Sequence, residues 1–395
     1  MASDRPTDAR ICPDDISAGL TRGSGNWRRK RCYPQSRFAT FAHDDYRFNE
    51  WWRIIIVATK QDTESRHDEL LTWLAQFDGL DQGELRPASG DASFRRYFRI
   101  HRDAESFIVM DAPPPHEDCR SFVQIAGYLE SMGLNCPRVL GADFDNGFVL
   151  MTDLGATRYL DAFEKDSECA AELYDDAINA LLVMQDKGDA YQQQLPSFDY
   201  EFIAFELSIF RDWLCGRHLG IDFSNDEEKQ WQINCEFLID NLLQQKQVFM
   251  HRDYHSRNLM VTEKDNPGIL DFQDAVEGPL AYDVVSLFKD CYIRWPDDQV
   301  RAWALRYFDR LGDELKNALT GEQFLRQFDL TGVQRHLKAA GIFARLNHRD
   351  GKPGYLGDIP RTLEYVIDAA SRFEELDFIA DLVGKRILPS LTTDE

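Results

Sequence analysis

The 395-residue sequence predicts an α+β protein of two lobes, a small β-rich N-lobe at 61–152 and a larger helical C-lobe at 153–395. Three observations carry that expectation. Short strand-like runs at 96–100, 107–111, 138–140 and 148–152 gather around one amphipathic helix at 119–132. Helical periodicity dominates from about 160 to 245 and returns toward 388. Between the helical stretches, two short apolar strands at 248–250 and 268–271 flank a polar loop.

The elements follow in order. Residues 1–60 are basic, rich in Arg, Gly, Ser and Asp, and show no sustained period, so they read as a mostly disordered segment. Two accounts of it stay open: a start assigned too early, with translation beginning near Val57, or a functional basic tail. Ser65 with Asp68 resembles a capping box, and Leu70, Leu71, Trp73, Leu74 and Phe77 mark one helix face. The runs 96–100 and 107–111 are separated by a turn at 101–105. In the helix at 119–132, Phe122, Ile125, Ala126 and Leu129 form the apolar stripe. After Asp153-Leu154-Gly155 the helical part begins, with breaks expected at Leu195-Pro196 and Gly220. No internal repeat or low-complexity tract is evident.

Bulk properties exclude several classes. Hydrophobic residues make up 43% of the chain, so a packed globular core is expected rather than disorder. The net charge is -23, and the first 60 residues hold eleven Lys and Arg against seven Asp and Glu. The remainder is therefore strongly acidic, which argues against nucleic acid as a partner. Its acidic surface reads as solvated surface before it reads as steering for a cationic substrate. Eight scattered cysteines include no C-x-x-C pair and no zinc spacing, which suits a reducing cytoplasm. The longest apolar run, 54–58, is far too short to span a bilayer and no signal peptide is apparent, so neither a membrane nor an obligate protein partner is expected.

Chemistry concentrates in His251-Arg252-Asp253-Tyr254-His255-Ser256-Arg257-Asn258, followed thirteen residues past Asn258 by Asp271-Phe272. A kinase catalytic loop has this form: His-x-Asp, four residues, Asn, then an aspartate at a strand end. One carboxylate must orient the acceptor hydroxyl and take its proton, while an amide oxygen and a second carboxylate hold Mg²⁺ on the phosphates. Asp253 is the expected base and Asn258 and Asp271 the expected metal ligands. His251 is expected to support the loop, and His255 reads as a surface histidine. The layout is thus that of a two-lobe protein-kinase-like fold.

The loop, with Gly278-Pro279-Leu280-Ala281-Tyr282-Asp283-Val284 after it, resembles the aminoglycoside phosphotransferase and choline kinase superfamily. That resemblance implies that Asp283 braces the catalytic loop from a helix N-terminus, where a carboxylate is favoured. Segments 89–99, 109–115, 332–338 and 348–352 are similar to the bacterial N-acetylmuramate/N-acetylglucosamine anomeric kinases over about 65–388. This implies an ATP-dependent, cytoplasmic sugar kinase phosphorylating the C1 hydroxyl in cell-wall recycling, with ATP and a small-molecule sugar as its partners. It also implies that backbone around Met151 and Asp153 holds adenine.

Three departures from the kinase pattern matter. The turn at 89–94 has one glycine, so Ser89, Ser93 and backbone N–H groups are expected at the phosphates. No Walker spacing precedes Gly351-Lys352 or Gly384-Lys385. Strand 107–111 has Met110 where the kinase β3 lysine belongs, so Arg96, or second Arg95, is expected to supply the cation; an edge-strand arginine pair in solvent is the rival account. For the acceptor, Arg335 and Lys338 share a helical face within a basic stretch that runs to Lys352, and suit a lactyl carboxylate. Tyr254 is placed either to stack on a sugar or to pack. Other sugars, amino alcohols or aminoglycosides as acceptors, and a nucleotide-binding pseudokinase scaffold, are the alternatives.

Overall fold

Alternation in the strands sets the architecture of the first lobe. The computed structural model describes residues 60–391 apart from 82, 91–94, 115 and 116, and side chains from 66 onward except 89 and 90. The segment 1–59 lies outside the described residues. Helix α1 (Lys60–Leu74) precedes five strands: β1 (Arg86–Gly90), β2 (Arg96–Arg102), β3 (Glu105–Asp111), β4 (Val139–Asp143) and β5 (Phe148–Thr152). They form one antiparallel sheet in the order β1-β2-β3-β5-β4. Ser65, expected at the cap of α1, lies inside that helix.

Successive strand residues face opposite sides. Ile100, Phe107, Val109, Phe148 and Leu150 pack against Leu70, Trp73 and Leu74 on one face. Met110, Val149 and Met151 face the other way, into the core that contains helix α2 (Arg120–Met132) through Phe122, Ile125, Ala126 and Leu129. Gly133, at φ 80°, ends α2 with a left-handed cap. Strand β1 was not expected, because Pro87 and Gly90 break the strand pattern. An edge position with a register shift between Pro87 and Ser89 accommodates both.

The remainder is helical. Helices α3 (Tyr159–Lys165), α4 (Ala170–Lys187) and α5 (Tyr200–Ile209) come first, and α5 continues as a π-helical stretch, Phe210–His218. Gly220, at φ 63°, lies just beyond it, near the expected break. Helix α6 (Asn225–Leu243) starts on a capping box from Ser224 and Glu227. Four short strands then frame the polar loop: β6 (Gln247–Met250) pairs antiparallel with β9 (Val276–Pro279), and β7 (Leu259–Met260) with β8 (Gly268–Ile269). Helices α7 (Ala281–Phe288), α8 (Asp297–Asp309), α9 (Asp313–Ala318), α10 (Gly321–Asp350), α11 (Ile359–Ala370), α12 (Asp377–Asp381) and α13 (Leu388–Leu391) complete the chain. Both lobes belong to one compact unit, His67–Glu395. Among the described residues no helix is long and apolar enough to cross a membrane, and the six cysteines are free thiols.

The 30-residue α10 is the axis of the second core and packs directly on the α5 segment. Gly341 makes the close approach possible, since a Cβ there would lie 2.6 Å from the Phe210 nitrogen and 2.7 Å from the Ile209 carbonyl carbon and oxygen. These are backbone atoms, which cannot rotate aside. Gly341→Ala should therefore destabilise the protein by about 1–3 kcal/mol through overpacking, although the same exchange in an open helix is stabilising. A urea melt checks the sign, and a more stable variant would contradict the close-packing argument.

Candidate active site

Strand β6 leads directly into the polar loop, and α7 holds that loop in shape. The His251 and Arg252 backbone N–H groups both donate to Asp283, at 2.7 and 2.9 Å, one to each carboxylate oxygen. Arg252 sits at φ 77°, a left-handed conformation that a non-glycine residue adopts at a cost. Asp283 is fully buried in the first turn of α7, where the helix dipole favours its charge. Burial pushes its pKa up to about 7, against the two amide donors that favour the carboxylate. His251 is buried, and burial lowers its pKa to about 4, so the ring is neutral at physiological pH. Its Nε2–H donates to the Leu270 carbonyl at 3.0 Å, and its Nδ1 accepts the Asp253 N–H at 3.3 Å. Those two bonds fix the tautomer.

Asn258 joins the backbone at Asp253 to the Asp271 side chain. The Asn258 Nδ2 donates to the Asp253 carbonyl at 3.0 Å and to Asp271 Oδ2 at 3.2 Å. One side-chain amide thus ties the loop to the segment after β8. Asp271 is at φ 60°, and its Oδ1 accepts from the Gln273 amide at 2.8 Å. Phe272 packs on Phe122 of α2 with ring centroids 4.8 Å apart, which links this turn to the first lobe. Ser256 is anchored from below, with its N–H donating to Asp290 Oδ2 at 3.0 Å and its hydroxyl donating to the same oxygen.

A buried charge cluster flanks Asp253. Glu206 of α5 accepts from Arg252 at 2.9 Å and from Gln334 at 3.0 Å, and lies 3.3 Å from the Lys338 ammonium. Burial alone would raise the pKa of Glu206, but Lys338 and Arg252 more than reverse that. Asp253 behaves likewise: burial raises its pKa, and Lys338, Arg252 and Arg335 together hold it well below the ordinary carboxylate range. Arg335 and Lys338, three residues apart on α10, both act on Asp253, whereas His336 points elsewhere, to the Gly332 and Lys289 carbonyls. A cavity of about 500 Å³ opens beside this cluster, lined by Glu206, Arg252, Lys338, Phe202, Phe205 and Arg345 among others.

On the sheet side, Met110 is wholly buried and β3 carries no lysine. Arg96 pairs with Asp111 opposite it, with Nε donating at 2.9 Å, and Arg95 lies 3.6 Å from Glu117. Met151 is enclosed between β3 and β4, so Asp153 is the first residue beyond the sheet. Its carboxylate accepts from the Arg99 Nε at 2.5 Å and from the Gly155 N–H at 3.0 Å. Ser93 lies outside the described residues, and Ser89 is described only as part of β1.

Tyr254 and His255 differ from their sequence-based readings. Tyr254 is fully buried, with its hydroxyl donating to the Ala177 carbonyl at 2.9 Å, so it packs the loop onto α4 and presents no face to a sugar. His255 is buried against Tyr292, not on the surface. Glu206, Asp290 and Arg99 escaped the sequence reading. An acid inside the apolar stretch 202–209 is the one signal that marked Glu206. The other two have partners tens of residues away, at no diagnostic spacing.

Residues 84–328 match the sequence profile of the phosphotransferase enzyme family. An N-acetylmuramate/N-acetylglucosamine kinase of Pseudomonas aeruginosa is 47% identical over 304 residues, covering 76% of this chain and 88% of that protein. In fold, the chain is similar to an ethanolamine kinase of Plasmodium vivax, at TM-score 0.54 and 13% identity over 78% of this chain and 89% of that one. A spectinomycin phosphotransferase solved with ADP and spectinomycin gives TM-score 0.53 at 13% identity, over 76% and 98%.

The charge cluster makes its own prediction. Glu206→Gln leaves Arg252 and Lys338 buried without their carboxylate, and should cost about 3–5 kcal/mol of stability. Because the folded state lowers the Glu206 pKa, its contribution is present above the ordinary glutamate range and fades as pH falls below it. Denaturant melts at pH 7 and pH 4 should therefore show the gap between wild type and variant shrinking at acid pH. A gap of equal size at both would exclude an ionised Glu206.

Proposed function

We propose a function from one premise: this chain belongs to the phosphotransferase enzyme family. It is a phosphotransferase with a small β-rich lobe and a helical lobe. The reading that the site supports best is transfer of the γ-phosphate of ATP to the C1 hydroxyl of N-acetylmuramate, N-acetylglucosamine or both, in recycling of cell-wall sugar within the cytoplasm. The acceptor is suggested by the name of the Pseudomonas aeruginosa relative and by the cationic lining of the cavity.

The observation that supports the chemistry is the Asn258 amide, which joins the main-chain carbonyl of Asp253 to the Asp271 carboxylate and so keeps all three residues on neighbouring segments. Asp253, kept ionised by neighbouring cations, accepts a hydrogen bond from the sugar hydroxyl and takes its proton as the phosphoryl group leaves ATP. The bond formed is sugar oxygen to γ-phosphorus, the bond broken is γ-phosphorus to the β–γ bridging oxygen, and ADP departs with that oxygen. No covalent enzyme intermediate is needed.

Asn258 and Asp271 offer hard oxygen ligands on adjacent segments, which fits Mg²⁺ bound mainly by substrate phosphates and water. Among the described residues there is no cluster of three His, Cys, Asp or Glu side chains to hold a metal by protein alone. When bound, Mg²⁺ neutralises charge on the β- and γ-phosphates. The adenine edge is assigned to backbone just past Thr152, at Asp153, with Arg96, Ser89 and Ser93 on the phosphate side. Lys338 lines the acceptor cavity, and Arg335 lies behind it, acting through Asp253.

Asp253→Asn should lower kcat by roughly 10²–10⁴-fold, the range typical of a lost general base. The measurement is turnover with ATP, Mg²⁺ and each amino sugar, with NMR identifying the phosphorylated carbon. Near-normal turnover of the variant would remove Asp253 from the mechanism. Phosphate on C6 instead of C1 would overturn the anomeric assignment, and ATP binding without transfer to any acceptor would identify a pseudokinase.

A further inference from the structure

The unassigned feature of the cavity is an uncompensated arginine. Arg335, Lys338, Ile342 and Arg345 follow one another at helical spacing along α10, so they form one stripe. Lys338, Ile342 and Arg345 line the cavity. The cations of this stripe are not equivalent. Lys338 has Glu206 at 3.3 Å and the Tyr282 hydroxyl at 3.3 Å. Arg335 lies deeper, with its Nη1 3.6 Å from the Cys291 sulfur, and does not line the cavity. Arg345 alone among the three is left with neither hydrogen bond nor ion pair among the described residues, and its Nε, like that of Arg335, is buried without a partner.

A guanidinium cannot escape this situation by losing its proton, because it stays charged throughout the physiological range. Burial and the nearby Arg349 both work against its charge, while Asp350 and Glu206 favour it from a distance. Glu206 is already engaged by Arg252, Lys338 and Gln334. Asp199, the other acid on the cavity wall, accepts the Phe202 N–H as the cap of α5. The wall therefore carries a partly buried guanidinium with no anionic partner two helical turns from Lys338, which itself acts on Asp253.

We propose that Arg345 is the carboxylate anchor of the acceptor cavity and sets the preference for an acidic amino sugar over its neutral counterpart. The inference rests on the acceptor reading above. N-acetylmuramate differs from N-acetylglucosamine by a lactyl ether on C3, two ring carbons from C1. Lys338 acts on Asp253 and also lines the cavity, so a sugar with C1 at Asp253 would present its other substituents to the wall that holds Arg345. A guanidinium meets a carboxylate bidentately, in a geometry that an ammonium cannot reproduce. Phe202 and Phe205 on the opposite wall supply apolar surface for the sugar ring.

The test compares wild type, Arg345→Gln and Arg345→Lys with N-acetylmuramate and N-acetylglucosamine at saturating ATP and Mg²⁺. Arg345→Gln should raise the KM for N-acetylmuramate at least ten-fold more than the KM for N-acetylglucosamine, and Arg345→Lys should recover part of that difference. Should the glutamine variant fail to fold, the lysine variant decides, because it keeps the charge and loses the fork. Equal changes for both sugars, or no change for either, would overturn the anchor while leaving the acceptor reading intact. A wild-type enzyme that phosphorylates neither sugar would remove both.

Discussion

The site depends on one buried carboxylate catching two consecutive backbone N–H groups. Without Asp283, the His251 and Arg252 amides would be orphaned in the interior, and a left-handed arginine would have nothing to hold it. With it, the chain reverses immediately after β6. The Asp253 side chain then emerges beside the cations of α10, and Tyr254 turns into the core. The loop contributes little apolar surface of its own, so its shape is set by hydrogen bonds: Asp283 above, His251 to Leu270 across, and Asp290 to Ser256 below. Each of these partners sits on or next to a short packed element, which makes the loop as rigid as the helices around it.

That rigidity comes with an electrostatic condition. Arg252, Arg335 and Lys338 crowd one side of Asp253, and such a concentration of positive charge would be unstable in a dry interior. Glu206 offsets two of them from α5, and the close contact at Gly341 brings α5 and α10 near enough for it to do so. A packing detail and an ion-pair network are thus one arrangement. The excess of cations over anions that remains is what keeps the Asp253 carboxylate ionised.

Much of this was legible in the sequence. The spacing of Asp253, Asn258 and Asp271 is legible because all three lie in one loop and the segment that Asn258 ties to it. The two lobes were visible because alternation and helical periodicity are local signals. What stayed hidden shares the opposite property. Strand β1 has Pro and Gly where a strand pattern needs apolar residues, and its pairing is set by β2. The Arg99–Asp153 bridge and the Ser256–Asp290 anchor join residues without any period between them. Tyr254 was ambiguous because an aromatic beside Asp253 in a polar loop has no local signal saying which way it turns.

The missing lysine of β3 follows from the same alternation. Position 110 faces the core formed with α2, whose stripe of Phe122, Ile125, Ala126 and Leu129 offers no carboxylate. A lysine there would bury an ammonium against hydrocarbon, a cost that Met110 avoids. The positive charge on this lobe sits instead at Arg95, Arg96 and Arg99, before and within β2, each already facing a carboxylate: Glu117, Asp111 and Asp153. Each of these guanidinium charges is met by a carboxylate, so the lobe carries its cations as ion pairs and keeps an unpaired ammonium out of its apolar core.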